Sequence, residues 1–297
     1  MCWTMALWPR LWVLVALPDR VAPTIKGRII PVDMQPISPA IPRRALVTGG
    51  SERFGQAIVL GLAQAGFDVA IHDRTNRAGA EGILHAVRAL GRTGCVLQAD
   101  FMREEQVQAL YGQAAQALGG PLGVLVNNTS TCEQDEWDSA SLESWMLHMK
   151  PNLRAPFVLI QAFARGLPQG AQGMVLNMLD EHVWPLSPHF VSHTVSKTAL
   201  WTLTQTMAQA LAPKGIRVNA LGSAPGPALP GSGPMQEQPA RQCASVPPAQ
   251  DALPDQAARA TLALLAQPFV TGQMLTLNSG QPLQWSPALL AGHAVEE

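Results

Sequence analysis

From about residue 43 onward, this 297-residue chain alternates short apolar runs with longer amphipathic stretches, and that alternation constrains its fold more than any other feature. The runs at 45–48, 68–72, 95–98, 122–126, 174–179, 216–221 and 273–277 read as strands. Helical patterns cover 54–65, 78–90, 104–118, 142–165, 191–211 and 255–266. The strand segments are apolar along their length instead of alternating with polar residues, so both faces of the sheet must be covered. Strands separated by helices in this way predict an α/β fold, a single doubly wound parallel sheet of about seven strands with helices on both faces.

Residues 43–285 form that one domain, with no internal repeat and no linker to a second one. The Pro/Gly-rich stretch 223–254 is too long for a plain connection and reads as a functional lid, with 228–248 covering a small-molecule substrate. Residues 1–42 are expected to be an irregular N-terminal extension and 286–297 a tail. Within the extension, the apolar run 11–17 is too short to span a membrane. A signal peptide, an unstructured extension and an upstream start codon ahead of Met34 stay open as readings of that segment.

Composition narrows the function classes. Hydrophobic residues make up 47% of the chain, enough for a large core, and charges nearly cancel at 20 basic against 21 acidic. That balance argues against a disordered chain and against nucleic-acid binding. The four cysteines, Cys2, Cys95, Cys132 and Cys243, lack disulfide-framework or metal-ligand spacing, which points to a reducing cytoplasm and to no metal site.

The first strand runs into Thr48-Gly-Gly-Ser-Glu-Arg-Phe-Gly55, ahead of the first helix. Glycines there let a pyrophosphate approach backbone N–H groups at a helix N-terminus. At the end of the second strand Asp73 stands 24 residues after Gly49, suited to a ribose 2′-hydroxyl, and Arg74 beside it is suited to a 2′-phosphate. The two neighbours leave NAD(H) and NADP(H) both open.

These residues resemble the short-chain dehydrogenase/reductase family, most closely its pteridine-reductase-type members, from about residue 43 to 285. The resemblance implies a Rossmann-type fold. It also implies cofactor contacts from Gly49, Ser51, Arg53, Phe54, Gly55, Asp73 or Arg74, Asp100, Asn127, Lys197, Pro225 and Gly226. Arg53 stands where the family usually has its second glycine, as in pteridine reductases, which implies contact with cofactor phosphate and with substrate and tilts the cofactor toward NADP(H). Asn127 belongs to an Asn-Asn-Thr-Ser motif, Asn152 matches the helix asparagine beside a proton-relay water, and Asp180 replaces the usual serine. The resemblance also implies a homo-oligomer, tetramer or dimer.

One signature position departs. The family carries Tyr-x-x-x-Lys on the helix after the fifth strand; here Lys197 is present but position 193 is His193, 13 residues after Asp180. The chain's single tyrosine, Tyr111, is expected far away in another helix. Asn152, Asp180, His193 and Lys197 are therefore the candidate catalytic set, with Arg53, Asp180 and Trp184 as substrate contacts; His182 and His189 lie close by. Asn278-Ser279-Gly280 and the residues before Pro225 also differ from the family pattern. Two functions stay open: an NAD(P)H-dependent reductase of a pterin-like or carbonyl substrate, or a dinucleotide-binding relative with little turnover acting as sensor or partner subunit. His72 and His148 read as structural.

Overall fold

The computed structural model describes residues 36–180, 183, 186, 189–223 and 254–277. Seven parallel strands form one sheet: β1 Arg44–Val47, β2 Asp68–Asp73, β3 Gly94–Gln98, β4 Val124–Asn127, β5 Gly173–Asp180, β6 Ile216–Ser223 and β7 Met274–Leu277. Their order is β3-β2-β1-β4-β5-β6-β7, and all six neighbouring pairs run parallel. The helices are α1 Arg53–Gln64, α2 Arg77–Ala89, α3 Glu104–Ala117, α4 Leu142–Met149, α5 Ala155–Gly166, α6 Val191–Leu211 and α7 Pro254–Leu265. The fold matches the expected doubly wound α/β sheet. His182, Trp184, Pro225, Gly226, the run 11–17, the segment 228–248, Asn278–Gly280 and the tail lie outside the described residues.

Strand residues are apolar in succession because successive side chains enter different cores. Ala45 and Val47 point into a cluster with α1, α2 and α7, through Ile58, Leu62, Leu84 and Leu264. Leu46 between them points into the opposite cluster with α3, α5 and α6, through Leu110, Phe163 and Leu211. Tyr111 belongs to this second cluster and meets the Phe163 ring edge-on, as expected for a tyrosine remote from the site.

The expected single helix over 142–165 is divided. Between α4 and α5 the chain makes a turn of π-helix at Lys150–Arg154 with Pro151 inside it. Proline supplies no N–H, so a continuous α-helical ladder is interrupted there. Asn152 lies in this wide turn and is buried.

Strand order reverses between β1 and β4, where the chain returns from β3 to the middle of the sheet. Loops at the carboxyl ends of these strands diverge at that point and leave a crevice, the usual ligand position in such folds.

Candidate active site

The crevice is a cleft of about 310 Å³ lined by the turn after β1, the ends of β2 and β3, the segment after β4, and Leu147 and Pro151. Gly49 has φ +59°, and a Cβ built on Gly55 would lie 2.1 Å from the Gly49 carbonyl oxygen. Only glycine fits at position 55 without moving the backbone. Arg53 adopts φ +40° and is, among the described residues, the one non-glycine with positive φ. The arginine thus keeps a left-handed backbone that suits the glycine the family usually carries there.

The turn is fastened from beneath. Thr48 Oγ1 accepts the N–H groups of Asn128 and Thr129 at 2.9 and 3.0 Å, and Asn128 Nδ2 donates to the Gly49 carbonyl at 2.9 Å. Asp73 is buried; one carboxylate oxygen takes the Ser51 hydroxyl and the other the Asn76 N–H. Arg74 beside it is exposed and lines the cleft.

This cradle fits a nicotinamide dinucleotide. The N-terminus of α1 has no side-chain cap and no acidic residue in its first turn, so its N–H groups and positive dipole end are open to an anion. Gly55 keeps the turn against the helix, Arg53 adds a cation, and Thr129 Oγ1 is a buried polar atom with no hydrogen-bond partner among the described residues.

At the carboxyl end of β5 a second cluster forms. His193 is in the first turn of α6 and is buried. Its Nε2 is 2.6 Å from Asp180 Oδ2 and its Nδ1 2.9 Å from the Thr131 carbonyl oxygen. Both ring nitrogens thus face oxygen atoms, an arrangement that favours two N–H donors, the imidazolium form, with the Asn152 amide nitrogen 3.5 Å from Nδ1. Burial works to lower the His193 pKa, but the hydrogen bond and charge of Asp180, with a further hydrogen bond to Cys132, raise it to about 9. Lys197, one turn along the same face, is buried and donates to the Met178 carbonyl at 3.0 Å. Burial pushes its pKa down, while Asp180 and Cys132 act in the opposite direction.

The start of α6 is positioned by a residue on another segment. Phe190 precedes the helix and supplies no side-chain cap. Asp135 instead accepts the Ser192 N–H at 3.0 Å and the Ser144 hydroxyl at 3.1 Å, tying α6 to α4. Burial opposes its ionisation, yet the bonds from Ser192 and Ser144 hold its carboxyl below the usual range.

The expected catalytic residues Asn152, Asp180, His193 and Lys197 converge. Asn152 Nδ2 donates to the Thr131 carbonyl at 2.9 Å and to Ser196 Oγ at 3.0 Å, and its Oδ1 accepts the Thr131 N–H at 2.8 Å. Its amide is committed to fixing the segment that holds His193.

Among the expected cofactor residues, Gly49, Ser51, Arg53, Asp73, Arg74 and Asp100 line the cleft. Phe54 lies under the Arg53 guanidinium, whose carbon is 5.4 Å from the ring centroid. Asn127 does not line the cleft; it is buried and donates to Asn177 at 2.8 Å, while its neighbour Asn128 faces the cleft. His189 pairs with Glu136 at 3.0 Å near the surface.

Sequence reasoning missed the Thr131 carbonyl and Cys132, because a backbone carbonyl and an isolated cysteine carry no spacing signal. It also passed over the packing of His148, whose ring meets that of His193 edge-on at 5.8 Å between centroids.

A doubly wound sheet with a phosphate-shaped glycine turn at its switch point and a Lys197–His193–Asp180 cluster at the carboxyl end of β5 defines a dinucleotide-binding α/β protein. Residues 43–231 match the short chain dehydrogenase family model, and the chain belongs to that family, whose members are oxidoreductases. A short-chain dehydrogenase/reductase of Armillaria gallica is 35% identical over 187 residues, covering 62% of this chain and 70% of that protein. The structure of FolM alternative dihydrofolate reductase 1 from Brucella canis, complexed with NADP, is similar at 38% identity and TM-score 0.74, covering 83% of this chain and 97% of its own. A short chain dehydrogenase from Burkholderia cenocepacia in complex with NADP is similar at 30% identity and TM-score 0.73, covering 82% and 99%. Among the described residues no helix is long and apolar enough to cross a membrane.

Proposed function

We propose that this chain is an NADP(H)-dependent reductase that adds hydrogen across a C=N or C=O bond of a pterin-like substrate, with His193 in the place of the family's catalytic tyrosine. The observation that carries this reading is the 2.6 Å Asp180–His193 pair, which keeps a transferable proton on a buried imidazolium beside Lys197. A dinucleotide held by the glycine turn, Arg53 and Lys197 would supply the hydride for the electrophilic carbon. This chain's residues supply the matching proton. His193 holds it on Nε2, and the partly exposed Asp180 orients the ring and relays the proton toward the substrate nitrogen or oxygen. Lys197 uses one of its three N–H groups on Met178, which leaves the others for ribose hydroxyls.

NADP(H) is supported over NAD(H) by the engagement of Asp73. Both its carboxylate oxygens already accept hydrogen bonds from Ser51 and Asn76, whereas Arg74 is exposed at the cleft. The FolM protein complexed with NADP supports both the cofactor and the pterin-like substrate class.

A second reading, a dinucleotide binder with little turnover, is favoured by one observation. Both His193 nitrogens are bonded to protein oxygens, so a ring held in that pose turns no N–H toward a substrate. The deciding experiment is oxidation of NADPH by the natural protein and by His193→Tyr, with a dihydropterin, across neutral to alkaline pH. The reductase reading expects turnover by the natural protein, declining as pH rises through about 9. Turnover by the tyrosine variant alone would establish the second reading instead.

A further inference from the structure

His72 is the buried titratable group that the mechanism above leaves unused. It lies near the end of β2, 1% exposed, with its ring stacked on Phe101 at 4.5 Å between centroids. Its two nitrogens have opposite roles. Nε2 is 3.0 Å from the Ala99 carbonyl oxygen and must donate, while Nδ1 accepts the Gly49 N–H at 3.3 Å. The Gly50 N–H bonds the carbonyl of the same residue at 2.9 Å. One histidine therefore receives both N–H groups of the diglycine step that opens the phosphate turn, and joins that turn to the end of β3.

We propose that His72 is a positioning residue of the dinucleotide site, which fixes the glycine turn through Nδ1 in its neutral form and releases it on gaining a second proton. The proposal rests on the dinucleotide reading of the cleft. A proton on Nδ1 would set two N–H donors against each other, His72 against Gly49, and the ring would have to turn or the backbone withdraw. Gly49 carries φ +59° and its carbonyl oxygen abuts Gly55, so a shift there displaces the surface that approaches the phosphates.

The charged groups that line the cleft together with His72 are Asp73 and Arg74 from β2 and just past it, Asp100 past β3, and Glu52 and Arg53 on the turn. Of these, Asp73 acts on the His72 charge. Burial lowers the His72 pKa below 6.5, while the bond to Ala99 and the charge of Asp73 act to raise it. The neutral form therefore holds at neutral pH, and release belongs to the acid side.

The test is NADP+ binding by calorimetry from about pH 7.5 to 5 for the wild type, His72→Asn and His72→Phe, with thermal melts to confirm folding. Asparagine offers a non-titrating acceptor toward Gly49, and phenylalanine keeps a ring on Phe101 with no acceptor. Loss of one such hydrogen bond is worth about three- to tenfold in affinity. The wild type is expected to weaken in acid by that factor more than His72→Asn, since the titration of the 2′-phosphate of NADP+ is common to both. His72→Phe is expected to bind about three- to tenfold more weakly already at neutral pH. Identical pH profiles for wild type and His72→Asn would overturn the inference while leaving the dinucleotide site intact. Absence of NADP+ binding by the wild type at neutral pH would overturn the reading of the site itself, and the inference with it.

Discussion

His193 and Asp180 form a closed pair at the end of the sheet: Nε2 is 2.6 Å from Oδ2, and the imidazole is 3% exposed. The carboxylate comes from the last residue of β5 and the imidazole from the first turn of α6. A helix N-terminus disfavours a cation. The pair holds its charge there because Asp180 at one nitrogen and the Thr131 carbonyl at the other receive both N–H groups.

Stability should fall as pH rises through the alkaline range. The folded-state pKa of His193 is about 9, above its ordinary 6.5. Below 6.5 folded and unfolded chains both carry the proton and the full benefit is present; between there and about 9 only the folded chain keeps it. The benefit, on the order of 3 kcal/mol, is lost above that range. Urea unfolding at a series of pH values should show this decline in the wild type and a flatter profile in Asp180→Asn. Equal slopes in the two proteins would contradict the pairing.

Arg53→Gly should make the protein more stable and its cofactor affinity weaker. A left-handed backbone costs a non-glycine residue about 1–2 kcal/mol, partly offset by the greater unfolded-state freedom of glycine. A net gain near ~1 kcal/mol corresponds to a melting temperature about 2–4 °C higher. Loss of the guanidinium at the cleft should at the same time raise the dissociation constant for NADP+. A lower melting temperature would show that the φ of +40° stores no strain.

Asp135→Ala should loosen the start of α6. It removes the acceptor for the Ser192 N–H, at a cost of about 1–2 kcal/mol typical of a lost helix cap. The Asp135 carboxyl is held below the usual range, so its contribution is present at neutral pH and disappears as pH falls through its folded-state pKa. Melting curves of wild type and variant should therefore converge in acid. A difference that persists unchanged at low pH would assign the loss to packing instead of the charged cap.

Much of the fold was legible because burial writes a local pattern. Each strand of the doubly wound sheet was found within a few residues, and α6 was placed at 191–211, its observed span. The division at Lys150–Arg154 leaves one mark in the sequence, Pro151; the π turn itself keeps the chain helical and carries no periodicity signal of its own. Lys197 and His193 were found as neighbours on one helical face, and Asp180 as their partner, through the family resemblance at fixed spacing. The sequence did not show where the Asn127 side chain goes: its Nδ2 donates to Asn177 inside the protein.

The sequence by itself determined which segments become strands and helices and which faces they bury, because hydrophobic periodicity is a property of neighbours in the chain. Only the tertiary structure decided which polar atoms meet. Thr131 offers a carbonyl to His193, Asp135 caps a helix 57 residues away, and His72 takes the Gly49 N–H from 23 residues away. Such bonds depend on strand order and on the register in which β1, β2, β4 and β5 lie side by side. A donor and an acceptor far apart in the chain carry no shared local pattern, so their pairing emerges only when the sheet is assembled.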